Sequence, residues 1–187
     1  MKRFRFPRKM KKQIKQMPVG SYCYGSSIGA EHKMVNGKKV GKWVEYLDDN
    51  KAYYALSVYK SGVPYGIKRE YGKNGKLESE IPYANGKING VIKAYYEDGK
   101  LKSEDPWTYG KINGVVHLYN ENGILIVETP YVGGLKSGIA KDYYENGNLL
   151  DEVPYSNDTL NGVLKEYYRS GTIRTESPYV AGKKTDW

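Results

Sequence analysis

This chain has almost no sulfur chemistry and almost no phenylalanine: one cysteine (Cys23), two Phe and two His in 187 residues. A lone cysteine closes no internal disulfide and anchors no metal cluster, so no structural metal is expected. No apolar run approaches the roughly 18 residues that a membrane-spanning helix requires. The basic start continues as Lys11-Lys12-Gln13-Ile14-Lys15 rather than into an apolar segment, so no secretory signal is expected and a cytoplasmic location is. Also missing are a Ser/His/Asp order, zinc-ligand spacing and a phosphate loop, since Gly72-Lys73-Asn74-Gly75-Lys76 reads as a hairpin turn. The expectation is a protein that is not an enzyme and holds no cofactor.

What is abundant is tyrosine (20) and glycine (22), within a hydrophobic share of only 39%. Tyrosine combines large apolar area with a tip that tolerates water, which suits thin, well-exposed elements. The net charge of +9 is concentrated at one end. Residues 1–18 hold Lys2, Arg3, Arg5, Arg8, Lys9, Lys11, Lys12 and Lys15 and no acid. Without those eight, 22 Lys and Arg face 21 Asp and Glu, a balance of +1. The reading is a basic, flexible N-terminal arm over residues 1–20 followed by an electrically balanced domain at 21–187.

Inside that domain the chain repeats every 24 residues. Pro82, Pro106, Pro130, Pro154 and Pro178 keep that step, each followed by Tyr or Trp. Gly66, Gly90, Gly114, Gly138 and Gly162 keep it too, as do the Tyr71/95/119/143/167 and Glu80/104/128/152/176 columns. Upstream, Gly37 to Tyr46 forms a degenerate first unit, and Pro178 opens a last one that is cut short. Such atypical ends suit a solenoid.

Each unit reads as a β-hairpin. Gly90 to Tyr96 is rich in β-branched and aromatic residues, which favours a strand. Asn74-Gly75, Asp98-Gly99, Asn122-Gly123 and Asn146-Gly147, with Ser170-Gly171 in the fifth unit, read as two-residue turns in which both residues take positive φ. The proline is expected to end pairing at the strand terminus. With those turns Glu97 faces Lys100, and a basic residue faces a glutamate in every unit: Arg69 with Glu80, Lys93 with Glu104, His117 with Glu128, Lys141 with Glu152, Lys165 with Glu176. Each such pair contributes roughly 0.2–1 kcal/mol, and a one-residue slip would lose them all. Five copies argue for a structural ladder, because a catalytic pair is needed once. His117 belongs to that ladder, and His32 shows no recognisable partner.

The unit Gly-x-x-Lys-x-Tyr-Tyr-x-x-Gly-x-Leu-x-x-Glu-x-Pro-Tyr-x-x-Gly, clearest at Gly90–Gly110 and at Gly138–Asp158, resembles the MORN (membrane occupation and recognition nexus) repeat in its bacterial variant form. Asp158 departs from the final glycine. The resemblance spans about residues 35–187 and draws its specificity from repetition. It implies an elongated, twisted antiparallel sheet of stacked hairpins. It also implies a binding role: bacterial proteins of this variant are often antitoxin or immunity proteins that neutralise a toxin, while the eukaryotic form is linked to membranes and scaffolding. The basic arm inherits nothing from it.

The fold expected is therefore all-β, an elongated antiparallel solenoid of stacked 24-residue hairpins, with a protein partner (a toxin-like protein or another enzyme) on one face. The tyrosine column is read mainly as packing, because an identical residue in every unit is what internal stacking demands. Specificity should sit where units differ. The fourth unit carries an apolar strand face of Val116, Leu118, Ile126 and Val127, and Trp107 replaces tyrosine in its column; these five residues are the candidate partner site. The arm is read as a solubilising segment, or as a contact for nucleic acid or anionic lipid. The alternative function is a scaffold or inhibitor led by that arm.

Overall fold

The computed structural model describes residues 32–50 and 52–186. These form nineteen β-strands in a single antiparallel sheet and no helix. The all-β expectation of stacked hairpins holds. The repeating block is a two-residue strand, a six-residue strand that opens on glycine, a turn, and an eight-residue strand. Lys87–Ile88, Gly90–Tyr95 and Leu101–Thr108 make one block; Lys111–Ile112, Gly114–Tyr119 and Leu125–Val132 make the next. Each eight-residue strand pairs on one side with the six-residue strand before it (Lys93 opposite Glu104). On its other side each but Ile173–Val180 pairs with the two strands that follow (Trp107 opposite Ile112, Glu104 opposite His117), and Ile173–Val180 pairs with Lys183–Lys184. Twelve strands have six or more residues; at about 4.8 Å each they extend the ribbon to on the order of 50 Å.

The two kinds of corner are the reverse of the expectation. At Asp98-Gly99 only the glycine has positive φ, at 89°. The Gly99 N–H donates to the Tyr96 carbonyl at 2.9 Å and the Tyr96 N–H to the Lys100 carbonyl at 2.9 Å. This is a three-residue loop with a left-handed glycine. Tyr96, not Glu97, therefore stands opposite Lys100. The Asp98 carboxylate accepts the Lys100 N–H at 2.9 Å, and Asn74 does the same for Lys76 at 2.9 Å. An Asx side chain used in this way stabilises a turn without a left-handed backbone of its own. The turns with two left-handed residues lie at the other corners: Asn36-Gly37, Ser61-Gly62, Asn85-Gly86 (φ 51° and 80°), Tyr109-Gly110, Gly133-Gly134, Asn157-Asp158 and Ala181-Gly182. There Ala84 pairs directly with Lys87, the geometry of a two-residue hairpin.

The ladder register nevertheless comes out as expected, because two departures cancel. The longer loop shifts pairing by one, so Tyr95 faces Leu101; a bulge then leaves Lys102 unpaired, and Ala94 faces Ser103. All five basic residues stand opposite their glutamates.

The proline does not end its strand. Pro82 is the sixth residue of Leu77–Ala84, and pairing continues through Tyr83 and Ala84. Its carbonyl accepts the Asn89 N–H at 3.0 Å, as Pro106 accepts from Asn113 at 2.8 Å. In an antiparallel ladder a residue's N–H and C=O point the same way, so the missing amide faces the break between Ile88 and Gly90, where regular pairing is already interrupted. That break also explains the invariant glycine. Gly114 has φ of 122°, and a Cβ placed on it would sit 2.9 Å from Cγ of Pro106. The two columns form one clasp between units.

No large side chain is fully buried among the described residues. The densest packing lies at the first hairpin, where Val44, Tyr54 and Tyr71 are buried with Tyr46, Leu56 and Leu77 against them.

Candidate functional site

Strand alternation divides the side chains between two faces. The first, the ladder face, presents the basic and acidic columns, the Tyr71/95/119/143/167 column, and a β-branched row paired with the prolines. Along it the charges run continuously across strands, since each basic residue after Arg69 is also opposite the glutamate of the unit before (Lys141 opposite Glu128, Lys165 opposite Glu152). Measured separations are 2.8 Å for Arg69–Glu80, 3.2 Å for Lys93–Glu104, 3.9 Å for Lys141–Glu152 and 3.4 Å for Lys165–Glu176. His117 Nε2 lies 3.4 Å from Glu128, an ion pair only when the ring is protonated.

The tyrosines complete this network. Tyr95 donates its hydroxyl to Glu80 at 3.0 Å, Tyr119 to Glu104 at 3.4 Å, Tyr167 to Glu152 at 2.8 Å, and Tyr143 to Glu128. Burial, with the glutamate charge, pushes Tyr95 and Tyr143 up to about 12, so both stay protonated donors at neutral pH. The column thus packs and bonds at once, leaving it committed to the fold. Ladder and tyrosines together are scaffold.

The opposite face carries the five candidate partner residues. Leu118 pairs with Val127, Val116 with Thr129, and Trp107 with Gly90 and Ile112. Ile126 is the unpaired bulge residue of its unit. Its equivalent, Lys102, lies over the Tyr96 ring at 5.7 Å, which sets this column beside Val127 on the same face. The structure therefore brings the five together, but they are half-buried apart from Leu118. The Trp107 indole N–H is shielded from solvent and has no hydrogen-bond partner.

Two features of this face escape a motif search. Asp142, Asp151 and Glu166 stand on adjacent strands, with Asp142 opposite Asp151 and Asp151 opposite Glu166. Burial raises the Asp142 carboxyl above its ordinary value, and burial together with the Asp142 charge raises Asp151. Among the described residues no group of three or more His, Cys, Asp or Glu is placed to hold a metal ion. At the first hairpin, Glu45 accepts hydrogen bonds from Lys39 at 2.6 Å, Ser57 at 2.7 Å and Tyr59 at 2.8 Å. The Lys39 ammonium lies 4.8 Å from the ring centres of both Trp43 and Tyr59. A shallow cavity beside it is lined by Glu45, Tyr59, Tyr65, Lys68 and Tyr83. Only the register, not the residue types, discloses either cluster.

His32, expected without a partner, has one: its ring centre lies 4.8 Å from that of Trp43, and its Nε2 accepts the Val44 N–H at 3.4 Å. The basic arm (Lys2, Arg3, Arg5, Arg8, Lys9, Lys11, Lys12, Lys15) lies outside the described residues. No helix among the described residues is long and apolar enough to cross a membrane.

Sequence comparison agrees with this repeat geometry. Residues 64–85, 88–108, 136–157 and 160–181 match the profile described as MORN repeat variant, so the chain carries MORN repeats. Residues 109–135 fall between matched segments, although Gly114–Tyr119 and Leu125–Val132 keep the common register there. No characterised protein matched the chain.

Proposed function

We propose that this MORN repeat protein is a non-catalytic binding protein that engages a protein partner through one face of its sheet, as an immunity or antitoxin-type partner would. One observation carries the reading: the sheet is a single layer, with no second layer over either face among the described residues and no large side chain fully buried. Side chains committed to holding strands in register occupy the ladder. The rows beside it vary from unit to unit, and variation on a rigid repeat is where partner choice is written. Nothing in the glutamate and tyrosine columns singles out one unit for chemistry.

The test compares the whole chain with a variant lacking residues 1–18, titrated against the purified product of the neighbouring gene. Retained affinity that resists moderate salt assigns the binding to the sheet. Affinity that vanishes with the arm, together with its salt dependence, replaces this reading with an arm-led contact to nucleic acid or anionic lipid.

A further inference from the structure

The ladder face departs from repetition in one row, beside the left-handed turns. Its register pairs read Lys60–Val63, Ala84–Lys87, Thr108–Lys111, Val132–Leu135, Ser156–Thr159 and Val180–Lys183. Only Val132–Leu135 joins two large aliphatic residues. Pro130, two residues before Val132, stands opposite Val115, and Ile139 is the second residue of the next six-residue strand, on the same face. Val115, Val132, Leu135 and Ile139 are 40, 63, 43 and 53% exposed. Four branched side chains this open and this close in register form an apolar surface that water covers poorly. It lies on the opposite side of the sheet from Val116, Leu118, Ile126 and Val127.

The charge in its own row has one sign, and the glutamates one row beyond Val115 and Ile139, Glu128 and Glu152, stand opposite the ladder residues His117 and Lys141. Lys87 and Lys111 stand in the same row toward the N-terminal end and Lys183 toward the C-terminal end, all exposed. At two strands per unit they lie about 10–20 Å from the patch. None of the three forms an ion pair among the described residues. No carboxylate stands in the row; Asp158, at a turn tip, turns Oδ1 to the Lys136 N–H at 2.7 Å.

We infer that this patch docks a protein segment with an apolar centre and carboxylates at either end, the centre covering Val115, Val132, Leu135 and Ile139 and the carboxylates reaching Lys111 and Lys183. The inference rests on the sheet-binding function proposed above and names its surface and the chemistry of its partner. A nucleic acid would satisfy the lysines and leave the aliphatic groups wet. A bilayer would meet the protruding turn tip first, and at the patch that tip is Gly133-Gly134, which has no side chain to insert. A segment lying flat on the sheet meets both demands.

The experiment pans a phage-displayed random peptide library on the full chain and measures the best binder, as synthetic peptide, by fluorescence anisotropy. Expected are peptides with aliphatic or aromatic centres flanked by Asp or Glu. Val132→Glu with Leu135→Glu should weaken binding by about tenfold or more. Lys111→Glu with Lys183→Glu should weaken it several-fold and flatten its salt dependence, and Val116→Glu with Leu118→Glu should leave it unchanged. Circular dichroism and melting temperature check each fold; should the glutamate pair unfold the chain, Val132→Ser with Leu135→Ser gives the same reading without added charge. Peptides without carboxylates, or binding lost through Leu118→Glu instead, overturn the inference while leaving the sheet-binding function standing. A library that yields no binder overturns both. Phosphatidylserine vesicles and a single-stranded oligonucleotide are measured alongside; binding of either that falls with the Val132 and Leu135 changes overturns a protein partner.

Discussion

The first hairpin and the regular units use the same columns for different ends. From Tyr95 onward, each column tyrosine donates to the glutamate of the preceding unit. One unit earlier that glutamate position is Leu56, opposite Arg69. Tyr71, with no carboxylate to meet, stacks on Tyr54 at 4.9 Å and 11° and is buried. The clasp changes as well: Val58 occupies the proline column, and a Cβ on Gly66 would meet nothing within 4 Å. Among the described residues no full unit precedes the first hairpin, so the repeated polar pairs lack part of their partners there and apolar stacking takes over. The polar ladder fixes register along the ribbon, and the small core at the first hairpin anchors it.

That contrast can be broken most severely in the core. Tyr71→Ala should cost about 3–4 kcal/mol in urea unfolding, and Tyr167→Ala distinctly less, because only the first removes a buried stack. Phenylalanine should reverse the order: Tyr71→Phe near neutral, Tyr167→Phe about 1 kcal/mol through the lost bond to Glu152. Equal effects at both sites would erase the distinction between the regions.

The clasp comes next. Gly114→Ala should cost about 2–3 kcal/mol, combining left-handed strain with the approach to Pro106, whereas Gly66→Ala meets the strain alone at about 1–2 kcal/mol. Melting temperatures of the two variants compare them directly. In the ladder, Lys141→Met removes the cation between Glu128 and Glu152 and should cost roughly 0.2–1 kcal/mol, a loss that salt diminishes.

The smallest effect is a gain. Asp142 faces Asp151, and like charges across a strand pair destabilise by a similar 0.2–1 kcal/mol. Asp151→Asn should therefore stabilise the chain at pH 7. The Asp151 carboxyl is raised in the folded chain above its ordinary value of 3.8, so the folded form holds its proton more firmly. The advantage of asparagine should shrink as pH falls through the raised value and vanish below 3.8. Unfolding curves across that range check it; an advantage that persists in acid would exclude charge as the cause.

Much of this was legible in the residues. The 24-residue step gave the strands, and the basic–acidic columns gave the pairing. Three expectations failed for one reason, which is that local signals were assigned to the wrong geometry. Asn-Gly and Asp-Gly signal paired left-handed turns, but at Asn74, Asp98 and Asn146 the side chain accepts a turn amide instead, and at Asn122-Gly123 Asn120 accepts it. Proline was read as a stop, but an interrupted neighbouring strand removes the demand for its N–H. His32 was read alone, but Trp43 and the Val44 amide lie ten or more residues away in sequence. The candidate apolar residues Val116, Leu118, Ile126 and Val127 do share a face, through the bulge at Ile126. The more exposed apolar surface is the other one, and the alternating column Ile67, Val91, Val115, Ile139 and Val163 was the signal for it.

Sequence alone determined the repeat, the strand content and the ladder partners, because each depends on periodicity and on charge pairing between residues a fixed distance apart. Tertiary structure decided which face carries exposed aliphatic groups, which carboxylates crowd one another, and how the ends differ from the middle. Those depend on bulges, turn handedness and neighbouring strands, and a shift of one residue changes them while leaving the pattern of letters untouched.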